Sequence, residues 1–213
     1  MKIFLLGTSG LVGSAVYSEL LQENPRPDLI TFTRRRLGLE GGLEKVSDLS
    51  DFKIQMHELT AELAFCALGT TIKKAKSRQT FEEIELNLPL RFATEARKHG
   101  VQSFHIITAL GADASSSNFY LRTKGLLERD LRLLGFPSLH IYRPSLLVGD
   151  RQEFRLGERL SVALYQNLKG LYPKALGRYQ PIEVSVLSRF ILRKMKDYTP
   201  GLHIWENQAM ISS

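Results

Sequence analysis

A tyrosine and a lysine stand four positions apart in the segment Tyr120-Leu-Arg-Thr-Lys124. On a helix this spacing places both side chains on one face. A nearby cation favours the ionised form of a phenol, so the pair can exchange a proton with a substrate oxygen. Thr108 stands twelve residues earlier, at the end of a predicted strand, and we expect its hydroxyl to hydrogen-bond the same oxygen. The alternative is an ordinary helix surface, because the spacing alone is common.

Three glycines follow the first apolar run with the spacing G-x-x-G-x-x-G, from Gly7 to Gly13. They lie between a predicted strand and a predicted amphipathic helix. The N–H groups and the dipole at a helix N-terminus favour a bound anion, and glycine permits the tight turn and the close approach of a pyrophosphate. The turn therefore predicts a dinucleotide site rather than a simple connection.

The second predicted strand ends in Thr33-Arg34-Arg35-Arg36. Proteins that bind NAD carry an acidic residue at this place for the ribose hydroxyls. An arginine can instead donate two parallel hydrogen bonds to a 2′-phosphate. We therefore expect NADP(H) as the cofactor, the alternative being a solvated basic loop.

Short apolar runs alternate with amphipathic stretches, which predicts a parallel sheet with crossover helices. We expect strands at residues 2–6, 29–33, 44–46, 63–68, 103–107, 139–142 and 202–205. Helices are expected at residues 11–23, 81–98, 120–134 and 184–196. The predicted fold class is α/β, a doubly wound parallel-sheet Rossmann fold. Residues 1–213 form a single domain in this interpretation, and residues 149–213 contribute a small substrate lobe.

Composition excludes several classes of protein. The single cysteine cannot form an intramolecular disulfide, the five histidines lack metal-ligand spacing, and we predict no metal site. No apolar run approaches the ~20 residues of a membrane span, and the early first strand leaves no room for a cleavable leader, so we expect a cytoplasmic protein. The net charge of +7 resides mainly in residues 151–213. A solvated surface explains it better than a nucleic-acid partner, which we do not expect.

The sequence resembles the atypical short-chain dehydrogenase/reductases, and within them one group of NAD(P)-binding proteins. The resemblance covers most of residues 2–160. It is carried by the glycine turn, residues 66–71 (Cys-Ala-Leu-Gly-Thr-Thr), Tyr120 to Lys124, Arg143-Pro144, and residues 150–153 (Asp-Arg-Gln-Glu) with Arg155, Gly157 and Glu158.

The resemblance implies a role for each of several residues along the cofactor. The pyrophosphate would be lined by Gly7, Ser9, Gly10, Leu11, Val12 and Gly13. The adenosine end would be bordered by Arg34 and Arg35 at the phosphate and by Asp48 and Leu49 at the adenine. The ribose and nicotinamide would lie against Leu68, Gly69, Tyr120, Lys124, Pro144 and Leu146.

The resemblance also implies the catalytic set Thr108, Tyr120 and Lys124, with Thr108 where the superfamily more often has serine. Arg151 and Arg155 are candidates for an anionic group of the substrate. Asn87 either joins a proton relay or is a polar residue of its helix.

Two functions fit these observations. The first is an NADPH-dependent oxidoreductase that reduces a carbonyl, or oxidises an alcohol, of a small molecule. Tyr120 would then protonate the oxygen, Lys124 would hold the ribose, and Thr108 would orient the carbonyl. The second is a non-catalytic NADP(H) sensor or scaffold that regulates a protein partner, because a member of the resembling group is described through its partners. A monomer and a homodimer are equally compatible with the sequence.

Overall fold

Seven parallel strands form the central sheet of the computed structural model, which describes residues 1–149 and 174–212. A second ladder pairs two short parallel strands, β7 with β8. The strands are β1 (Lys2–Leu6), β2 (Asp28–Thr33), β3 (Gly42–Val46), β4 (Leu63–Cys66), β5 (Ser103–Ile107), β6 (Ser138–Arg143), β7 (Leu147–Val148), β8 (Ile182–Glu183) and β9 (Gly201–Glu206).

Helices cover both faces of the sheet, and a single π-helical turn, Glu83–Asn87, joins two of them. A short 3₁₀ helix spans Lys174–Tyr179. The α-helices are α1 (Leu11–Leu21), α2 (Phe52–Gln55), α3 (Ile72–Ala75), α4 (Arg78–Glu82), α5 (Leu88–Lys98), α6 (Phe119–Arg132), α7 (Val184–Lys196) and α8 (Asn207–Ile211).

Alternate side chains of the central strands pack into two separate hydrophobic cores, one on each face of the sheet. Ile3 and Leu5 of β1 are buried in the cluster that contains α1 and α7, whereas Phe4 and Leu6 are buried in the cluster that contains α5 and α6. A strand covered on both faces is mostly apolar along its length, which is why the central strands read as nearly continuous apolar runs.

The strand order is β3-β2-β1-β4-β5-β6-β9, and every pair is parallel. The first six strands follow the order of a doubly wound dinucleotide-binding sheet, so the predicted Rossmann fold is confirmed. The order reverses between β1 and β4, and the connections leave this point toward opposite edges. A crevice therefore opens at the carboxyl ends of β1 and β4, where such sheets bind ligands.

The prediction of one continuous helix over residues 81–98 is wrong. The stretch is divided into α4, the π turn and α5. Pro89 has no N–H to donate to the carbonyl four residues earlier, which belongs to Glu85. The N–H of Leu88 instead bonds the carbonyl of Glu83, five residues back, and this widens the turn.

Other predicted boundaries need smaller corrections. The helix expected from Tyr120 starts at Phe119, because the side chain of Asn118 accepts a hydrogen bond from the N–H of Leu121. The strand expected over residues 63–68 stops at Cys66, where the chain turns past the glycine turn. The strands expected at 44–46, 139–142 and 202–205 are longer, and the helices expected at 11–23 and 120–134 end earlier.

The chain after residue 181 returns to the main layers, since α7 packs against α1 and β9 extends the sheet beside β6. The substrate lobe expected for residues 149–213 stays a prediction, because residues 150–173 lie outside the described residues.

Three histidines stand in register on neighbouring strands, His105 on β5, His140 on β6 and His203 on β9. The rings of His105 and His140 stack with centroids 4.4 Å apart, and those of His140 and His203 lie 4.7 Å apart. The indole N–H of Trp205 can only donate, so Nδ1 of His140 accepts its hydrogen bond at 3.1 Å and Nε2 carries the ring hydrogen. This arrangement requires a neutral His140.

Burial and the neighbouring His203 and Lys194 lower the pKa of His140 to about 4. Burial, with His140 and His203, places the pKa of His105 well below its usual value. We expect acid to destabilise the fold, because histidines with the ordinary value of 6.5 take up protons only after unfolding. The contribution of the buried histidines to the free energy of unfolding should be complete above pH 6.5. It should decrease as the pH falls toward 4.

Urea unfolding between about pH 7 and about pH 5 measures this effect. The variant His140→Gln should flatten the pH dependence, whereas replacing the exposed His57 by Gln should leave it unchanged. A urea midpoint that does not move with pH in the wild-type protein would contradict the prediction.

Candidate active site

A cavity of about 320 Å³ lies at the carboxyl ends of β1, β4, β5 and β6. Its walls combine the start of α1, the segments that follow β4, β5 and β6, and one face of α6. Among its lining residues are these members of the predicted site: Gly10, Leu11, Val12, Leu68, Gly69, Thr108, Tyr120, Lys124, Pro144 and Leu146.

The glycine turn has no room for a side chain at Gly7 or at Gly13. Gly7 has φ +92°, and a Cβ there would lie 2.5 Å from the carbonyl carbon of Ala67. A Cβ at Gly13 would lie 2.1 Å from the carbonyl oxygen of Gly7, inside any permitted contact. The N–H of Gly10 donates to that same oxygen at 2.9 Å and closes the turn.

The start of α1 fits the pyrophosphate of a dinucleotide. Gly10 is the N-cap residue and has no side chain to occupy the N–H groups of the first turn, which also contains no acidic residue. Helix N-termini of this kind favour an anion. Gly7 and Gly13, one turn away, let two backbone segments meet beside it.

Tyr120 and Lys124 both line the cavity from α6, as their spacing predicts. The ring of Tyr120 contacts the ring of Phe81, with centroids 5.9 Å apart. The ammonium of Lys124 is buried and lies 2.5 Å from Oε2 of Glu85. Burial is the largest single influence and lowers the pKa of Lys124, but Glu85, with smaller contributions from Tyr120 and Cys66, raises the pKa above its usual value.

Glu85 is a site residue that the sequence analysis missed. It lies on the π turn, is 1% exposed, and accepts a hydrogen bond from the N–H of Thr70 as well as pairing with Lys124. The relay alternative for Asn87 is not supported, because its amide donates instead to Glu83 at 3.0 Å on the surface. Pro89 inside the helical pattern was the available signal, since it predicts a break that rotates the preceding turn.

Thr108 lines the cavity, but its hydroxyl hydrogen is used elsewhere. Its Oγ1 donates to Oε1 of Glu128 at 2.7 Å. Both oxygens of Glu128 bind the guanidinium of Arg143, which identifies the carboxylate as the acceptor. In this geometry the hydroxyl joins the end of β5 to α6. The sequence instead predicts that it hydrogen-bonds a substrate oxygen.

Several predicted residues lie away from the cavity. Arg34 and Arg35 are exposed beyond the end of β2. Leu49 is 3% exposed and packs into the core with Phe52. Hydrogen bonds from Ser50 lower the pKa of the exposed Asp48. Two further predicted residues, Arg151 and Arg155, lie outside the described residues.

Two relatives illustrate the likeness in sequence. Protein HTATIP2 of Rattus norvegicus is 29% identical over 218 residues, which cover 99% of this chain and 88% of the relative. The mitochondrial protein FMP52 of Candida albicans is 30% identical over 193 residues, which cover 87% of this chain and 83% of the relative. The chain belongs to the HTATIP2 and FMP52 family of atypical short-chain dehydrogenase/reductases. A search with protein-family models gave no match.

Solved structures show the same fold at low identity. A UDP-glucose 4-epimerase of Thermotoga maritima, solved with UDP-glucose, has a TM-score of 0.73 at 15% identity and covers 96% of this chain and 75% of its own. A short-chain dehydrogenase/reductase superfamily protein of Agrobacterium tumefaciens, solved with NAD, has a TM-score of 0.72 at 16% identity, with coverages of 97% and 77%. The fold is thus that of the NAD(P)-binding short-chain dehydrogenase/reductases.

The prediction of a cytoplasmic location is wrong as an inference from the sequence. The FMP52 relatives from several fungi are named mitochondrial proteins. An early first strand, on which the prediction depended, is thus no guide to the compartment of this family. Within residues 1–149 and 174–212, no helix has both the length and the hydropathy of a membrane span.

Replacing Gly13 by Ala should destabilise the protein by about 1–3 kcal/mol, because the new methyl group meets backbone that cannot move aside. It should also weaken binding of NADPH, since the first turn of α1 must shift. Urea unfolding and fluorescence titration measure the two effects. The control is Gly177→Ala, at a glycine where no atom of the described residues lies within 4 Å of the added Cβ. Equal stability of the two variants would contradict the steric role of Gly13.

Proposed function

We propose that this protein is an NADP(H)-dependent oxidoreductase that reduces a carbonyl group of a small molecule. One observation carries the proposal: the glycine-cradled start of α1 and the pair Tyr120 and Lys124 face a single cavity at the switch point of the sheet. An anion site beside a proton donor is the combination that hydride-transfer chemistry requires.

The pyrophosphate, one ribose and the nicotinamide of a dinucleotide would each have a matching surface in this cavity. The N–H groups at the start of α1 would hold the pyrophosphate, Leu68 and Gly69 the ribose, and Pro144 and Leu146 the nicotinamide. When bound in reduced form, the cofactor supplies a hydride to a carbonyl carbon.

The side chains of α6 would supply the proton and its positioning. The phenol of Tyr120 would donate the proton from Oη to the carbonyl oxygen of the substrate. Lys124 has three N–H donors, so its pairing with Glu85 leaves others for the ribose hydroxyls. Thr108 would support the wall of the cavity through Glu128 rather than donate to the substrate.

The phosphate preference rests on the residues after β2. Arg34 and Arg35 are exposed there, so their guanidinium groups are accessible to the 2′-phosphate of a cofactor. No acidic residue occupies the segment from Thr33 to Arg36. The nearby Glu44 accepts hydrogen bonds from the N–H groups of Leu37 and Leu39 at 2.7 and 2.6 Å, so its carboxylate shapes the loop. These features favour NADP(H), whereas the structural relative from A. tumefaciens was solved with NAD.

Replacing Tyr120 by Phe should lower kcat by about 100-fold or more while leaving NADPH affinity nearly unchanged, because only the proton donor is lost. Oxidation of NADPH with a panel of aldehydes, ketones and quinones gives the rate, and fluorescence titration gives the affinity. The matched control is Tyr179→Phe, at an exposed tyrosine.

Two outcomes of the Tyr120 experiment would contradict the enzyme proposal. One is an unchanged rate in Tyr120→Phe. The other is a wild-type protein that binds NADPH but reduces no member of the panel, which would favour the alternative of an NADP(H) sensor or scaffold for a protein partner.

Replacing Arg34 by Ala should weaken NADPH binding about tenfold or more and NADH binding much less, because a charge-assisted hydrogen bond to the 2′-phosphate is lost. Isothermal titration with both cofactors measures the difference. Arg129→Ala removes another exposed arginine, one paired with Asp130 on α6, and should change neither affinity. Equal losses for the two cofactors in Arg34→Ala would refute the assignment of NADP(H).

A further inference from the structure

A carboxylate and an ammonium are buried together against the candidate cavity. Oε2 of Glu85 lies 2.5 Å from Nζ of Lys124, and the two side chains are 1% and 5% exposed. Removing one partner of such a pair leaves an uncompensated buried charge, which is strongly unfavourable. Whatever Lys124 does in the cavity therefore depends on its partner.

The backbone around Glu85 is built to hold this carboxylate in place. Pro89 shifts the hydrogen bonding to the π pattern, and the N–H of Leu88 bonds the carbonyl of Glu83. Such turns are frequent at functional sites. The N–H of Thr70, from the segment after β4, donates to Oε1 of Glu85. One carboxylate thus joins the helix that carries Lys124 to the segment expected to border the ribose.

We propose that Glu85 is a positioning residue that keeps Lys124 protonated and aims its ammonium at the cofactor ribose. The inference rests on the proposed function, because it assigns Lys124 a bound nucleotide. Glu85 acts through Lys124, since its own oxygens are engaged by the N–H of Thr70 and the ammonium.

The surroundings of Lys124 support this role. The groups that act on its charge, within the part of the chain that the structure describes, are Glu85, Tyr120 and Cys66. Burial raises the pKa of the Cys66 thiol to about 12, so the thiol is neutral at neutral pH. Burial of the ammonium is the largest influence and disfavours its charge, and the carboxylate of Glu85 is the largest of the influences that favour the charge. Without Glu85, burial would drive Lys124 toward its neutral form.

A double-mutant cycle tests the proposal with Glu85→Gln, Lys124→Met and the double variant. Fluorescence titration should show NADPH binding weakened about tenfold in Glu85→Gln, and the loss should grow as the pH rises. The growth with pH follows because an unpaired, buried ammonium loses its proton more readily. In the Lys124→Met background, Glu85→Gln should change NADPH affinity little.

Thermal unfolding of the same four proteins gives a readout that needs no cofactor. Each single variant should be less stable than the wild type, and the double variant should be more stable than either, because it leaves no buried charge unpaired. Glu83→Gln is the matched control, since Glu83 lies on the same π turn but forms an exposed pair with Arg91. It should leave NADPH affinity and its pH dependence unchanged.

The outcomes separate this proposal from the proposed function. If the wild type binds NADPH and Glu85→Gln binds it equally at every pH, the role of Glu85 is refuted while the function stands. If the wild type binds no NADPH, the proposed function is refuted. The coupling between Glu85 and Lys124 is then tested by the stability measurements alone. Additive losses of stability in the double variant would overturn the coupling. If Glu85→Gln does not fold, a folded double variant supports the proposal and an unfolded one overturns it.

Discussion

The candidate site depends on the close approach of backbone segments at one point of the sheet. Gly7 follows β1 and Ala67 follows β4, and they lie so near each other that a single Cβ would separate them. Gly13, on the first turns of α1, closes on the carbonyl of Gly7 in the same way. A crevice between adjacent parallel strands becomes an anion site only if the helix N-terminus can be brought this close to the strand ends.

Much of the fold followed from local patterns, because the central strands are short apolar runs bounded by turns and are covered on both faces. The same reasoning located the glycine turn and the pair Tyr120 and Lys124, whose geometry is set by spacing within one helix. The same reasoning was wrong where the role of a side chain depends on a partner that is distant in sequence. The hydroxyl of Thr108 donates to Glu128, twenty residues further along the chain, and no local sequence pattern predicts that hydrogen bond.

The missed Glu85 illustrates a second limit. A regular helix over residues 81–98, as the sequence predicts, would distribute its side chains at 3.6 residues per turn. Pro89 changes that count, and Glu85 then points inward while Asn87 bonds Glu83 at the surface. Charged residues are rarely buried, so composition also argued against an interior Glu85. The buried ammonium of Lys124 and the N–H of Thr70, both distant in sequence or on another segment, account for it.

The row formed by Tyr120, Lys124 and Glu128 on α6 brings these interactions together. The three residues are spaced four apart and so share one face of the helix. Glu128 binds Thr108 and Arg143, and Lys124 binds Glu85. Each bond fixes α6 to a different part of the sheet edge, through β5, β6 and the π turn. The third member of the row, Tyr120, lines the cavity, and its ring contacts the ring of Phe81. A helix held at two charged points can present a phenol at a fixed distance from the glycine turn, and preorganisation of that kind is what a proton donor needs.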